Sequence, residues 1–478
     1  MKSSTETRRR RCRKRQASRW IFRCWRHRSR HRGELYRVRQ KIKRTHWRQT
    51  MFEWYRHGSP QQKRTFWACY SGWALDSFDM QMFSFLLPAL MATWALSKGQ
   101  IGLIGTVALV VTAIGGWIAG IMSDRYGRVR VLIFTIVWFT FFGVMAGFAQ
   151  SYEQLLVART LQGLGFGGEW AVGAALMAEA STPRYRSKAM GFVQSGFALG
   201  WALAVLVATF LLTHLPKELA WRVAFWSGII PASVVLLIRR NVKEPALFEQ
   251  ARHTKAPRAS LSSAFNPQYL RSTILASLLV IGLQAGCYAI LVWLPSLLAE
   301  RHVAPGSLIT TILIMALGSF CGFAVSAYLA DKVGRRPTLI ALSLGSWIVT
   351  VCYMFVALSP VLANVMGFWV GFLSIGMFAA LGPFLSELFP TNVRTTCMGF
   401  AYNVGKSVGA SAVAGVGMLS ARTGLATAIG LFCLGSYAIS VFAILMLPET
   451  RGVKLDEVDA SLNGAGVAPR TGAVAAQQ

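Results

Sequence analysis

The stretch Gly120-Ile121-Met122-Ser123-Asp124-Arg125-Tyr126-Gly127-Arg128-Val129-Arg130 is a short polar loop between two apolar runs, and the chain contains a second version of it. Asp124-Arg125-Tyr126-Gly127-Arg128 returns 207 residues later as Asp331-Lys332-Val333-Gly334-Arg335-Arg336. Glu179 and Arg186 return 208 residues later as Glu387 and Arg394, and Ala189-Met190-Gly191-Phe192 returns at the same interval as Cys397-Met398-Gly399-Phe400. Three matches at one spacing identify a duplicated unit of about half the chain.

Outward from these loops the sequence is a series of apolar runs, each of about 20 residues, the length that crosses a bilayer as a helix. They fall at 66–93, 100–122, 131–150, 153–179, 189–213, 221–239, 272–299, 306–330, 338–358, 361–385, 396–420 and 425–447. The expected fold is an all-α membrane protein, with twelve transmembrane helices in two pseudo-symmetric six-helix bundles. The expected division is a basic extension at 1–50, a first bundle at 51–238, a central loop at 239–271, a second bundle at 272–450 and a tail at 451–478. Repeated halves of this kind in a membrane place a transport site at the interface between them.

The charge agrees with a membrane chain. Of the 478 residues 54% are hydrophobic and only 14% are charged, yet 50 Lys and Arg against 19 Asp and Glu leave a net charge of +31. Soluble domains carry about 25% charged residues, and a nucleic-acid binder is basic throughout, so both classes are disfavoured. The first 50 residues hold 20 Lys and Arg and two acids, so more than half of the excess sits there. That tail is expected to contact anionic lipid headgroups, to act as a transit-type segment, or to lie outside a working protein that starts at Met51. With the N-terminus inside, the internal loops carry 17 basic residues and the external loops five. This asymmetry assigns both termini to the cytoplasm and the protein to the plasma (inner) membrane.

At this point the residues resemble a known family. Gly120-x-x-x-Asp124-Arg125-x-Gly127-Arg128-x-Arg130 resembles the signature loop of the major facilitator superfamily, with Ala327 replacing the first Gly in the second copy. Arg159-x-x-Gln162-Gly163 and Pro448-Glu449-Thr450-Arg451-Gly452 resemble two further motifs of that superfamily. Leu75-Asp76-Ser77-Phe78-Asp79, Gly165-x-Gly167-Gly168-Glu169 and Tyr402-Asn403-Val404-Gly405 resemble the sialate and organic-acid (aromatic acid, metabolite):proton symporters, whereas Lys406 is closer to carboxylate carriers with a basic residue there. The resemblance implies proton-coupled uptake of a small organic carboxylate by alternating access; a proton-coupled exporter shares the same fold.

Charges at bilayer depth are costly and mark a pathway. Asp76 and Asp79 are three residues apart and share a helix face, so at least one is expected to bind a proton; the alternatives are a carboxylate paired with a helix of the other bundle, holding a gate, and a near-interface Asp without a role. Arg159, Gln162 and Glu169 fall along one stripe; Arg159 is read as biasing a nearby Asp or as a packing partner, and Glu169 as a second titrating group or a hydrogen-bond acceptor. Lys406 requires an anion, either a substrate carboxylate or an Asp of the first segment. Asn403 and Gln162 are candidate substrate contacts, as are Gln284 and Tyr288. Gly120, Asp124, Arg125, Gly127 and Arg128 are read as one cytoplasmic latch, with Asp331, Gly334 and Arg335 or Arg336 as its copy. No phosphate-binding loop is present, and the Cys and His spacings show no metal set. No enzyme chemistry and no cofactor other than the transported proton is expected. The expected partners are an organic anion and the bilayer, with no nucleic acid, and the protein is expected to be a monomer.

Overall fold

The computed structural model describes residues 55–56, 58–180, 186–240, 242–244, 265–301, 305–356, 359–389 and 393–451. The extension at 1–50, the tail from 452 and most of the central loop lie outside the described residues. Twelve helical spans follow in order: α1 Pro60–Trp94, α2 Lys98–Tyr126, α3 Arg128–Gly147, α4 Tyr152–Ala180, α5 Ala189–His214 and α6 Lys217–Arg240. The second six are α7 Pro267–Glu300, α8 Pro305–Lys332, α9 Arg335–Phe355, α10 Val361–Glu387, α11 Arg394–Thr423 and α12 Leu425–Met446. Ten of these are long and apolar enough to cross a membrane. The two that fall short, α1 and α4, are those that carry Asp76, Asp79, Arg159 and Glu169.

The first helices begin earlier than hydropathy alone indicates. Ser59 accepts from the backbone N–H of Gln62 (3.2 Å), and the Gln62 side chain accepts from that of Ser59 (2.9 Å). Ser97 and Gln100 form the same reciprocal pair at the start of α2. Such capping boxes satisfy the first free donors of a helix, so polar first turns extend both spans. Asn266 caps α7 through the N–H of Gln268 (3.0 Å). Consequently Pro267 to Arg271 belong to α7, and Arg239 belongs to α6 rather than to the central loop.

The loops of the internal repeat have matching geometry. Gly127 and Gly334 take φ +111° and +129°, a backbone conformation that side chains rarely adopt. Each precedes a helix whose N-terminus is capped from a distance. Glu244, just after α6, accepts from the N–H groups of Arg128 and Val129 at 2.9 Å each. Glu449, just after α12, accepts from those of Arg335 (2.8 Å) and Arg336 (3.0 Å). A carboxylate at a helix N-terminus meets both its free donors and its dipole.

We call the end of the molecule where α1 starts and α12 finishes the basic end. At the opposite end the two halves close on each other. A Cβ on Gly102 of α2 would stand 2.9 Å from the carbonyl oxygen of Val413 in α11, so only a glycine permits that approach. Trp293 of α7 donates to the same carbonyl (3.0 Å), and Lys98 pairs with Glu300. Toward the basic end the packing leaves more open space. A methyl group added at Gly120, Gly173, Gly191, Gly382 or Gly399 would meet no atom within 4 Å. These five positions lie toward the basic ends of α2, α4, α5, α10 and α11, so there is open space beside these helices at that end, although Trp117 of α2 still stacks on Phe400 of α11 across the interface (6.3 Å).

A candidate substrate cavity between the two halves

Two neighbouring cavities lie along α1, one between the halves and one almost wholly within the first half. The larger, about 620 Å³, is lined from the first half by Trp73, Asp76, Ser77 and Phe166, and from the second by Gln284, Tyr288, Tyr402 and Lys406, among others. The smaller, about 460 Å³, is lined by Asp79, Arg159 and Gln162. Met80 and Phe166 form part of both walls.

This arrangement separates the two aspartates of α1. Three residues correspond to about 60° around a helix, and Met80 stands between the two cavities at that point. Asp79 is fully engaged: Arg159 donates to its Oδ2 (3.1 Å) and Gln162 to its Oδ1 (3.0 Å). Arg159 also donates to Gln162, and its guanidinium stands 4.6 Å from the ring centre of Phe83. Asp76 is only 2% exposed, and neither of its carboxyl oxygens has a hydrogen-bond partner among the described residues. Asp79 is therefore paired, but within its own half rather than with a helix of the other bundle, while Asp76 is left open.

Lys406 is 8% exposed and lines the larger cavity from α11. It has no ion pair or hydrogen bond among the described residues. Its ammonium lies 5.7 Å from the ring centre of Phe166 and close enough to Asp76 to interact with it electrostatically. Of the other sequence candidates, Gln284 and Tyr288 line this cavity, whereas Gln162 lies in the smaller one. Asn403 lines neither; its amide donates to the Gly399 carbonyl one turn back (3.0 Å). Tyr402, four residues before Lys406, takes the place beside it, because four residues return to within about 40° of the same face and three fall about 60° to the other side.

Glu169 also stands apart. It is ten residues beyond Arg159, about 15 Å along the helix, and its carboxylate is held by Arg239 of α6, with one contact at 3.0 Å and a second to the other oxygen. Arg239 is 1% exposed and also donates to the carbonyls of Leu132 (3.0 Å) and Ala68 (3.4 Å). The sequence reading counted Arg239 as a loop charge and so left Glu169 without its partner. The signal available was the first of two adjacent arginines, Arg239 and Arg240, closing an apolar run.

At the basic end, Arg335 pairs with Asp331 (2.9 Å) and with both oxygens of Glu387 (3.0 and 2.9 Å). Arg336 instead donates to the Ile444 (3.0 Å) and Leu445 (2.7 Å) carbonyls at the end of α12. Arg335 is therefore the partner of Asp331 in the second loop. Arg128 donates to the Ser123 carbonyl (2.8 Å), while the Asp124 side chain lies outside the described residues. Arg125 stands over the ring of Tyr126 (5.5 Å).

The chain is similar to named membrane carriers along most of its length. It is 72% identical over 408 residues, 85% of this chain and 95% of the relative, to a Cupriavidus pinatubonensis protein named "Probable 4-methylmuconolactone transporter". It is 30% identical over 410 residues, 82% of this chain and 96% of the relative, to the cis,cis-muconate transport protein of Acinetobacter baylyi. Among solved structures, the inward open conformation of the Escherichia coli xylose transporter matches with TM-score 0.70 at 20% identity, over 83% of this chain and 98% of that one. The model of the Major Facilitator Superfamily matches residues 70–414. The twelve spans, the duplicated halves and the cavity between them have the arrangement of that family, and the chain belongs to the Major Facilitator Superfamily of membrane transporters.

Proposed function

We propose that the protein is a proton-coupled symporter that takes up a small organic acid with one free carboxylate. The observation that carries this reading is the presence, in one cavity, of one unpaired carboxyl group and one unpaired ammonium group on opposite halves: Asp76 and Lys406. The name of the Cupriavidus carrier supports an acid of this kind, and that of the muconate carrier supports organic acids more broadly. A muconolactone is a muconic acid in which one carboxyl has closed into a ring ester, so one free carboxylate remains.

The coupling follows from charge balance. An empty cavity holds Asp76 against Lys406. When the substrate carboxylate takes the Lys406 ammonium, the buried Asp76 carboxylate loses that compensation, and an uncompensated buried charge is costly. A proton on Asp76 removes the cost. The fully loaded cavity then contains one cation, one anion and one neutral acid, and loading the anion without the proton is disfavoured. The substrate is carried unchanged, so the chain has no need of catalytic groups.

In the proposed membrane orientation the basic end faces the cytoplasm, as the excess of basic residues in its loops favours. The open space at that end then makes this an inward-facing state. The protein belongs, on this reading, in the inner membrane with both termini inside.

Uptake of labelled 4-methylmuconolactone into proteoliposomes, with the interior made alkaline or acidic, tests the proposal. We expect accumulation driven by an inward proton gradient, and none without it. Lys406→Ala should abolish uptake while leaving insertion intact. Accumulation that ignores the gradient, or that survives Lys406→Ala with unchanged apparent affinity, would reject the reading.

A further inference from the structure

The remaining polar groups of the Asp76 and Lys406 cavity bear on what else the substrate carries; the inference rests on the reading of Lys406 as the seat of the carboxylate. Lys406 is the one cation among the described lining residues. Several neutral groups of the lining are already committed. Ser77 donates to the Phe197 carbonyl (2.7 Å), and the Gln284 amide donates to the Tyr402 hydroxyl (3.3 Å). Tyr288 is different. It is 5% exposed, it lines the cavity one helical turn beyond Gln284, and its hydroxyl has no hydrogen-bond partner among the described residues. The indole N–H of Trp73, on the facing wall, is also unpartnered. The rest of the wall is mostly apolar, with Phe166, Phe197, Phe323 and Phe378 forming sides suited to a flat ring.

We propose that Tyr288 is a specificity-determining residue: its hydroxyl donates to a neutral carbonyl oxygen at the end of the substrate away from its carboxylate, so the site selects a ring-ester acid over an open-chain dicarboxylate. The reason is the division of charge in the cavity. One ammonium compensates one carboxylate. A second carboxylate would be buried against phenyl rings and neutral donors (the phenols, the Trp73 indole and the Gln194 and Gln284 amides) with no further cation, which costs far more than neutral donors return. A neutral carbonyl costs little to bury and supplies the acceptor that the phenol lacks. A site whose lining donor is placed to bond a ligand oxygen discriminates strongly against ligands that lack that oxygen.

The test uses the full chain in proteoliposomes and three competitors of labelled substrate. These are 4-methylmuconolactone (one carboxylate and a ring carbonyl), cyclopentylacetate (one carboxylate and a ring without a carbonyl) and cis,cis-muconate (two carboxylates). The wild type should bind them in that order of affinity. Tyr288→Phe, which keeps the ring and its packing, should weaken the lactone by about 10- to 100-fold and leave cyclopentylacetate within about 2-fold, with an unchanged melting temperature. Equal losses for both ring acids would show a packing role and overturn the proposal, as would an unchanged lactone affinity. A wild type that binds cyclopentylacetate but does not favour the lactone overturns this proposal alone. A wild type that binds none of the three overturns the reading of Lys406 and this proposal with it.

Discussion

At the scale of single residues, the two carboxyl groups of α1 separate into different tasks, and substitutions should tell them apart. Asp79 is bonded to Arg159 and Gln162. Replacing it with Asn leaves a buried guanidinium without its counter-charge, which costs about 3–5 kcal/mol when a buried pair is broken. We expect Asp79→Asn to lower the melting temperature in detergent by several degrees, and removal of Arg159 in the same chain to recover part of the loss. A variant as stable as the wild type would argue that the pair is dispensable. Asp76→Asn breaks no hydrogen bond, since neither oxygen of Asp76 has a hydrogen-bond partner among the described residues, and removes only the longer-range charge opposite Lys406. It should retain stability and exchange of substrate across the membrane, and lose accumulation driven by a proton gradient. Sequence alone placed both residues on one face but not on two sides of Met80, because a difference of about 60° on a helix acquires meaning only once the neighbouring helices are in place. Lys406, Gln284 and Tyr288 were legible as cavity residues for a simpler reason: polar groups deep in apolar runs have few other places to go. Asn403 was misplaced because a bond to its own helix backbone competes with any bond across the cavity.

At the scale of elements, the twelve spans were legible because length and apolarity report directly on the bilayer. Their beginnings were not, since capping boxes such as Ser59 with Gln62 are polar and resemble loops. The partner of Glu169 was missed for a related reason: Arg239 stands at the end of an apolar run, where a charge normally marks the start of a loop. The helix caps supplied by Glu244 and Glu449 were likewise invisible, because each joins residues more than 100 positions apart. Losing a cap of this kind costs about 1 kcal/mol. Glu449→Gln keeps one acceptor and removes the charge, so it should lower the melting temperature by a small but measurable amount, and less than Glu449→Ala does. Gly334→Ala should be worse than Glu449→Gln, because it combines a disfavoured φ of +129° with a Cβ only 2.9 Å from a Glu449 carboxylate oxygen. Equal melting temperatures for Gly334→Ala and wild type would contradict the role given to that turn. The Lys98–Glu300 pair at the opposite end is half exposed, and exposed pairs contribute at most about 1 kcal/mol. Glu300→Gln should therefore change uptake by no more than about 5-fold.

At the scale of the whole molecule, the internal repeat made the two-bundle architecture legible from sequence, whereas the state in which the bundles meet was not written in any motif. It depends on which interface glycines are in contact and which face open space. Cysteines introduced at Gly382 and Gly399 should react with a membrane-impermeant thiol reagent in inside-out vesicles and resist it in right-side-out vesicles. The reverse pattern would invert both the orientation and the direction of opening. The paired caps carry one more consequence. Each half ends with a glutamate that returns to the start of its own third helix, Glu244 to α3 and Glu449 to α9, so each six-helix unit is buckled shut by its own last residues. The covalent tether between the units then contributes nothing to holding either one together. The gene should tolerate fission: two separately translated fragments, divided after Glu244 and before Phe265, should find each other in the membrane and restore uptake when expressed together, and neither should do so alone.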